Sequence, residues 1–240
     1  MSLKIAILTT NTPHHTYFVR ELIKHYNDVT VFCETTKFKV PLFDVNHPFE
    51  DERNEYELKK WFAGNKTNLD DVVNTQKFSN LNDYEAANAL MENNSDIILV
   101  FGTQPLKSYI IDINPNNIFN LHGGDPEKYR GLDSHLWAIY ENEFSALVTT
   151  LHRLSIKLDT GEIVNQDILP IKDSLPLYAL REINTEICLK LTLKAIEMKV
   201  SSGTIRSRPQ RQLGNYYSAM PKELKSICVQ KFQNFTKLKK

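Results

Sequence analysis

The chain has 240 residues, and its 29 Lys and Arg side chains are balanced by 29 Asp and Glu side chains. This length favours one α/β domain with at most a small appendage, and the balanced charge disfavours nucleic-acid coating or a polybasic membrane surface. With 41% hydrophobic residues and no run near the roughly 20 apolar residues of a spanning helix, the composition is typical of a globular protein.

The N-terminus and the cysteines favour a reducing compartment. Residues 1–10 (MSLKIAILTT) lack the basic start, apolar middle and cleavage site of a signal peptide. Cys33, Cys188 and Cys228 are too widely spaced to indicate a zinc cluster or a disulfide framework. We therefore expect a cytoplasmic protein without a bound metal.

The first half of the chain alternates strand and helix patterns. The predicted elements are a strand at 3–9, a helix from Pro13, a strand at 29–34, a helix at 82–93 and a buried strand at 96–101. Residues 35–80 are polar, so we expect long loops there, with one short helix that ends at Trp61. Trp61 could stack on a nucleobase or fill a gap in the core.

The second half continues the alternation. Its predicted elements are a short helix from Pro105, a strand at 117–121, a loop at 122–131, helices at 132–142 and 177–199, strands at 145–154 and 163–169, and a last helix from Pro221. The order predicts an α/β, Rossmann-like, mostly parallel sheet with helices on both faces. We expect residues 1–204 to form the main domain and residues 205–240 a short C-terminal extension packed on it.

Glycine is unevenly distributed. Five of the eight glycines lie between residues 102 and 161. Glycine is needed where φ is positive or where a ligand approaches the backbone closely, so this segment is predicted to shape a site.

Two polar motifs fall in the same segment. Asn120 and His122 end a predicted strand and point to one face, where they could donate to an oxyanion and take up a proton. Such a pair also satisfies loop backbones in many proteins, and Asp159 in LDTGE could simply form a turn.

The occurrence of both motifs in one segment favours a catalytic role for these residues over a structural one. The run NLH, six residues, YRG, the helix HLWAI and then LDTGEI resembles the folate-dependent formyltransferases over about residues 95–170. The resemblance implies the formyltransferase fold, and N10-formyltetrahydrofolate as formyl donor. It also implies that Asn120, His122 and Asp159 are catalytic, with the choice of His122 or Asp159 as base left open. One departure is the loop Gly123–Pro126, where family members commonly carry a Ser-Leu-Leu-Pro sequence.

Further site residues follow from the same resemblance. Those expected to bind the donor cofactor are Phe101, Gly102, Thr103, Leu158 and Gly161. Those expected to bind the acceptor substrate are Asn11, Thr12, His14, His15, Thr16, Tyr129, Arg130 and Tyr216. The loop over 11–16 either binds a phosphate at the start of the first helix or is a plain helix cap.

The acceptor is a separate question. Formylation of methionyl-tRNA is disfavoured by the balanced charge and by the chain length. The segments YRGLDSHLWA and GNYYSAMP are similar to the nucleotide-sugar N-formyltransferases of lipopolysaccharide and O-antigen synthesis. This branch implies a homodimer acting on dTDP-4-amino-4,6-dideoxyglucose, with glycinamide ribonucleotide or a GDP- or UDP-linked amino sugar as alternatives.

Two other classes of protein are less compatible with the sequence. A binding protein on a Rossmann-like scaffold is not favoured, because the chain has no dinucleotide or P-loop motif. An inactive, regulatory homologue is disfavoured by the intact Asn120, His122 and Asp159.

Overall fold

The computed structural model describes residues 3–36 and 42–237. The elements of the first half are β1 (Ile5–Thr10), α1 (Pro13–Leu22), β2 (Val29–Glu34), α2 (Pro48–Phe62), β3 (Thr75–Phe78), α3 (Tyr84–Asn93), β4 (Ile97–Phe101) and α4 (Ser108–Ile111). Those of the second half are β5 (Ile118–His122), β6 (Tyr129–Gly131), α5 (Ser134–Tyr140), β7 (Val148–Arg153), β8 (Ile163–Ile168), α6 (Leu180–Ser202), β9 (Asn215–Tyr217) and α7 (Lys222–Lys237).

The main sheet has the strand order β3-β2-β1-β4-β5-β7-β8. Strands β1 to β5 are parallel, and β7 and β8 run antiparallel to their neighbours. The sheet is therefore mostly parallel, as the alternation of patterns predicts. Because the order reverses between β1 and β4, the crevice beyond the carboxyl ends of these strands is where such folds bind ligands.

Side chains that alternate along β1 serve two cores. Ile5 and Ile7 pack into the larger core, while Ala6 and Leu8 face the smaller one on the opposite side of the sheet. Both faces of the strand are buried, which explains its nearly continuous apolar sequence. The helices accordingly cover both faces of the sheet.

The prediction of long loops over residues 35–80 misses β3, and the predicted short helix ending at Trp61 is the longer helix α2. Helix α2 has 15 residues and begins with a capping box, in which the His47 ring accepts the Phe49 N–H and the Glu50 carboxylate accepts the His47 N–H. The sequence does not show helical apolar spacing there because one of its buried positions, Glu57, is a carboxylate. Strand β3 has only four residues at the sheet edge, and its middle residues are exposed.

The C-terminal extension packs closely on the rest of the chain. Strand β9 pairs in parallel with β6, and α7 lies against α5. Met220 and Phe232 are fully buried. Within residues 3–36 and 42–237, no helix combines the length and apolar character needed to cross a bilayer.

A buried ion pair joins α2 to α6. The Glu57 carboxylate is fully buried, and Arg181 binds it through two contacts of 2.6 Å. Such a pair does not make a protein stable by itself, but removing one partner leaves a buried charge without compensation.

We predict that Arg181→Met lowers the free energy of unfolding by about 3–5 kcal/mol, because Glu57 remains buried and unpaired. The double variant Arg181→Met/Glu57→Met should recover much of the loss. Denaturant unfolding measures both values. The control is Lys190→Met, which removes an exposed ion pair from the same helix and should change stability by at most about 1 kcal/mol. An equal effect of the two single variants would contradict the assignment.

Candidate active site

Three polar side chains that lie far apart in the sequence meet where β5 ends. Asn120 and His122 lie on β5, and Asp159 lies in the loop between β7 and β8. The distance from Asn120 Nδ2 to Asp159 Oδ1 is 3.4 Å, and that from His122 Nδ1 to Asp159 Oδ2 is 3.6 Å. The structure thus brings the predicted catalytic residues into one cluster.

The Asp159 carboxylate is buried, and neighbouring groups compensate its charge. Its Oδ2 accepts the Gly131 N–H at 2.8 Å, and its Oδ1 lies 3.4 Å from His152 Nε2. Burial alone raises the pKa of Asp159, but His122, His152 and the Gly131 N–H together hold this pKa well below its ordinary value. Asp159 is therefore ionised at neutral pH. Its φ of 54° is a sparsely populated conformation that recurs at functional sites.

The hydrogen-bond partners of His122 indicate which ring nitrogen can take up a proton. His122 Nε2 lies 3.0 Å from the carbonyl oxygen of Tyr129. A carbonyl oxygen only accepts hydrogen bonds, so Nε2 carries a hydrogen. Nδ1, which faces Asp159, is then the nitrogen that can accept a proton. The ionised carboxylate would stabilise the resulting imidazolium.

His152 completes the cluster and was missed in the sequence. It lies opposite Asn120 in the pairing of β5 with β7. Its Nδ1 is 2.8 Å from the Arg153 carbonyl oxygen and therefore carries a hydrogen, so Nε2 can accept from Asn120 Nδ2 at 3.2 Å. His152 thus orients the Asn120 carboxamide. The available signal was a histidine inside the otherwise strand-like run VTTLHR.

Two cavities open beside this cluster. The first, here called the apolar cavity, has a volume of about 350 Å³. Its aliphatic lining residues are Val100, Leu106, Leu121, Leu132, Leu154, Ile156 and Leu158. Asn120, His122 and Asp159 also line it. Its size and lining are typical of a site for a largely apolar small molecule with a few polar anchors.

The second, here called the polar cavity, has a volume of about 240 Å³. The polar and charged residues in its lining are Arg53, His122, Asp133, Ser134, His135, Arg181 and Asn184. Arg181 and Asn184 lie three positions apart at the start of α6 and so share one face of that helix. This cavity suits a polar or anionic ligand.

The two cavities share one wall. His122, Gly131 and Leu132 line both. Gly131 has a φ of 97°, and a Cβ atom at this position would lie 2.2 Å from the Tyr217 carbonyl oxygen, so only glycine fits. Two ligands held in the two cavities would therefore meet beside His122.

The loop over residues 11–16 lines neither cavity. His14 and His15 are buried, and the Thr12 hydroxyl lies 2.9 Å from Nδ1 of each. Burial and the nearby Arg181 lower the pKa of His15 to about 3, and the same two causes lower that of His14. The expected phosphate donors are therefore neutral and are used inside the protein.

The remaining residues of this loop also have internal partners. Asn11 bonds to Asn68 and to the Leu69 N–H, and the Thr16 hydroxyl donates to the Thr12 carbonyl. These contacts fit the alternative of a plain start to α1, although Thr12 itself makes no side-chain capping bond to the backbone.

Three of the five residues expected to bind the donor line the apolar cavity, and two do not. Gly102, Thr103 and Leu158 line the apolar cavity. Phe101 instead packs under it, with its ring 4.6 Å from that of His15. Gly161 lies away from the cavity, because it packs against the Arg153 carbonyl so closely that a Cβ would not fit.

Three further residues expected to bind the acceptor lie close to the site. Tyr129 is buried, with its hydroxyl donating to Glu141. Arg130 donates to the carbonyl oxygens of Gly214 and Leu158, so its guanidinium ties segments together. Tyr216 lines the apolar cavity.

The two tryptophans are part of the packing. Trp61 is mostly buried and stacks on Tyr17 at 4.2 Å between ring centroids, which excludes the nucleobase role considered for it. Trp137 is half-buried, and its indole N–H donates to the Ser218 carbonyl. Across residues 3–36 and 42–237, no group of three or more His, Cys, Asp or Glu side chains is arranged to hold a metal ion.

A protein-family model described as formyl transferase matches residues 4–184 of the chain. Among characterised sequences, the chain is 28% identical over 151 residues to a methionyl-tRNA formyltransferase of Azobacteroides pseudotrichonymphae genomovar. CFP2. That match covers 62% of this chain and 46% of the relative, so the chain spans about half the length of the relative it matches.

Two solved structures show the same fold. One is the formyltransferase PseJ from Anoxybacillus kamchatkensis, in complex with UDP-4,6-dideoxy-4-formamido-L-AltNAc and tetrahydrofolate. Its TM-score is 0.54 at 20% identity, over 90% of this chain and 85% of that one. The other is an N-formyltransferase from Helicobacter canadensis with folinic acid and dTDP-3-aminofucose. Its TM-score is 0.56 at 18% identity, over 90% of this chain and 71% of that one.

Proposed function

The chain belongs to the formyl transferase family, and from this premise we propose that it moves a formyl group from N10-formyltetrahydrofolate to the amine of a nucleotide-linked amino sugar. The observation that carries the proposal is the shared wall of the two cavities at His122, beside the ionised Asp159. A transferase needs two ligands to meet at one reactive group.

The apolar cavity fits the donor. Its aliphatic walls suit the flat ring systems of a folate, and Gly102 and Thr103 at the end of β4 offer polar backbone groups. Gly102 has a φ of 75°, and a Cβ there would lie within 2.5 Å of the His15 ring. The buried His15 thus supports the backbone of this wall. Bound there, the donor supplies an activated formyl carbonyl.

The chain's own residues then perform the transfer. Asn120 lines the apolar cavity, and its long 3.4 Å contact with Asp159 can be exchanged for a hydrogen bond to the formyl oxygen. His122 Nδ1 takes the proton that the attacking amine loses and returns it to the departing nitrogen. Asp159 stabilises the imidazolium and, through the Gly131 N–H, holds the wall between the ligands.

The polar cavity fits the acceptor. An amino sugar presents hydroxyl groups and an amine, and its nucleotide carries a diphosphate. Arginines, a histidine and an amide in the lining can bind such groups. Similarity to two proteins whose structures contain UDP- or dTDP-linked sugars supports this class of acceptor. We propose dTDP-4-amino-4,6-dideoxyglucose as the substrate, with GDP- or UDP-linked amino sugars or glycinamide ribonucleotide as alternatives.

Methionyl-tRNA is the second candidate acceptor, because the similar characterised sequence is a methionyl-tRNA formyltransferase. The zero net charge of the chain weighs against it, since affinity for nucleic acid depends strongly on cationic contacts to phosphate groups. We also propose that the protein is a homodimer and that it is located in the cytoplasm.

We predict that Asn120→Ala, His122→Asn and Asp159→Asn each lower kcat by about a hundredfold or more, because each removes a group that stabilises charge in the transition state. The matched control is Asn116→Ala, an exposed residue just before the start of β5, which should leave kcat unchanged. Initial rates with saturating donor measure the effect, and circular dichroism verifies folding. Near wild-type turnover by folded His122→Asn would refute its role.

We further predict that the dTDP-linked 4-amino sugar has the highest kcat/KM among the candidate acceptors, because binding energy from the nucleotide positions the reacting amine. The assay compares dTDP-, UDP- and GDP-linked 4-amino sugars, the free sugar, glycinamide ribonucleotide and methionyl-tRNA, all with N10-formyltetrahydrofolate. The proposal fails if glycinamide ribonucleotide or tRNA is a better substrate than every nucleotide sugar.

A further inference from the structure

Two arginines from different helices line the polar cavity, and their charges are compensated unequally. Arg181 of α6 is held by the buried Glu57 through two contacts of 2.6 Å. Arg53 of α2 forms one longer ion pair among the described residues, with Glu50 at 3.7 Å, and Glu57 and Asp133 also contribute to the field at its guanidinium. Arg181 is thus already closely paired inside the protein, whereas Arg53 is held only by this longer contact.

Glu50 cannot fully serve Arg53. One of its oxygens accepts the His47 N–H at 3.1 Å to cap α2, and the other lies 3.2 Å from Lys225 Nζ. The Arg53 Nε atom is buried and has no hydrogen-bond partner within the described part of the chain. Burial and the adjacent Arg181 lower the pKa of Arg53 to about 10, so it remains a cation at neutral pH. A buried N–H donor without a partner is costly and calls for an acceptor.

The other ionisable groups around this cavity do not supply that acceptor. Asp133 Oδ2 accepts the Met220 N–H at 2.8 Å and lies 3.8 Å from Lys225 Nζ. His135 is neutral, because burial lowers its pKa to about 4, and its Nε2 lies 2.6 Å from the Val148 carbonyl oxygen. His14 is neutral for the same reason. The cation that these groups leave without a close acceptor is Arg53.

We propose that Arg53 binds a phosphate group of the acceptor in the polar cavity, an inference that rests on the proposed function. The planar guanidinium group matches the spacing of phosphate oxygens and forms strong charge-assisted hydrogen bonds. The Phe49 ring, 5.7 Å from the guanidinium carbon, lies beneath Arg53 and helps to hold it. Because His122 lines the same cavity, a phosphate fixed at Arg53 directs the sugar amine towards the reactive wall.

This assignment replaces the loop over residues 11–16 as the phosphate site. The side chains of this loop form hydrogen bonds inside the protein, whereas the Arg53 Nε atom has no hydrogen-bond partner among the described residues. Arg53 lies in the segment over 35–80, where Trp61 was the residue considered for ligand binding. A phosphate contact to Arg53 would therefore make a phosphorylated acceptor a better substrate than a free amino sugar.

The test uses Arg53→Gln, because replacing Arg181 would also leave Glu57 unpaired. We expect KM for the nucleotide-linked amino sugar to rise roughly a hundredfold, while KM for N10-formyltetrahydrofolate stays unchanged. Arg53→Lys keeps the charge but loses the planar fork, and should show a smaller loss. The matched control is Lys59→Gln, which removes an exposed charge from the same helix and should alter neither constant.

Two further measurements test whether Arg53 recognises the phosphate group of the acceptor. The free amino sugar should be turned over equally by wild type and Arg53→Gln, and an equal loss on both acceptors would overturn the assignment to phosphate. Calorimetric binding of inorganic pyrophosphate should weaken at least tenfold in Arg53→Gln and not in Lys59→Gln. Unchanged pyrophosphate binding would overturn the proposal even if the variant were less active.

These outcomes separate the inference from the proposed function. If wild type formylates a nucleotide sugar and Arg53→Gln keeps the same KM, the inference is wrong and the function stands. If pyrophosphate binding depends on Arg53 but no nucleotide sugar is formylated, the anion site stands and the proposed acceptor is wrong.

Discussion

The candidate active site depends on one buried carboxylate, Asp159. It accepts the Gly131 N–H and lies within 3.6 Å of ring nitrogens of both His122 and His152. These contacts connect the short strand β6 to β5 and β7, which are neighbours in the main sheet. Burial would favour the neutral acid, so the charge of Asp159 depends on the two histidines beside it and on the Gly131 N–H that it accepts. The position of the wall between the two cavities therefore depends on Asp159 remaining ionised, because its carboxylate binds the Gly131 N–H.

The C-terminal extension belongs to the same arrangement. Gln210 donates to the carbonyl oxygens of Asp159 and Gly161, and Arg130 links Gly214 to Leu158. Strand β9 pairs with β6, which contains Gly131. Because backbone carbonyls and amides make most of these contacts, the extension fixes the position of the Asp159 loop more than it contributes side-chain chemistry. Its exception is Tyr216, which lines the apolar cavity.

The sequence could predict the features that depend on local pattern and spacing. Strands such as β4 are recognisable from continuous apolar residues, and the resemblance to the folate-dependent formyltransferases implied a cluster of Asn120, His122 and Asp159. Helix α2 was predicted only as a short helix ending at Trp61, because its buried Glu57 interrupts the apolar periodicity and is bound by Arg181, 124 residues away. Arg53 was missed because the cavity that it lines is formed by residues far apart in the sequence, such as Arg53 and Arg181. Local pattern also cannot show which of the two cavities a residue such as Tyr216 lines.

The charge state of Asp159 is the central physical claim and can be measured directly. The carboxyl carbon of Asp159 can be followed by ¹³C NMR and assigned by its loss in Asp159→Asn. A pKa far below the ordinary value near 3.9 requires the chemical shift to stay that of a carboxylate from pH 7 down to pH 4 in the folded protein. Protonation of Asp159 with a midpoint at or above 4 would contradict the account, because the contacts with His122, His152 and the Gly131 N–H would then not lower its pKa below the ordinary value.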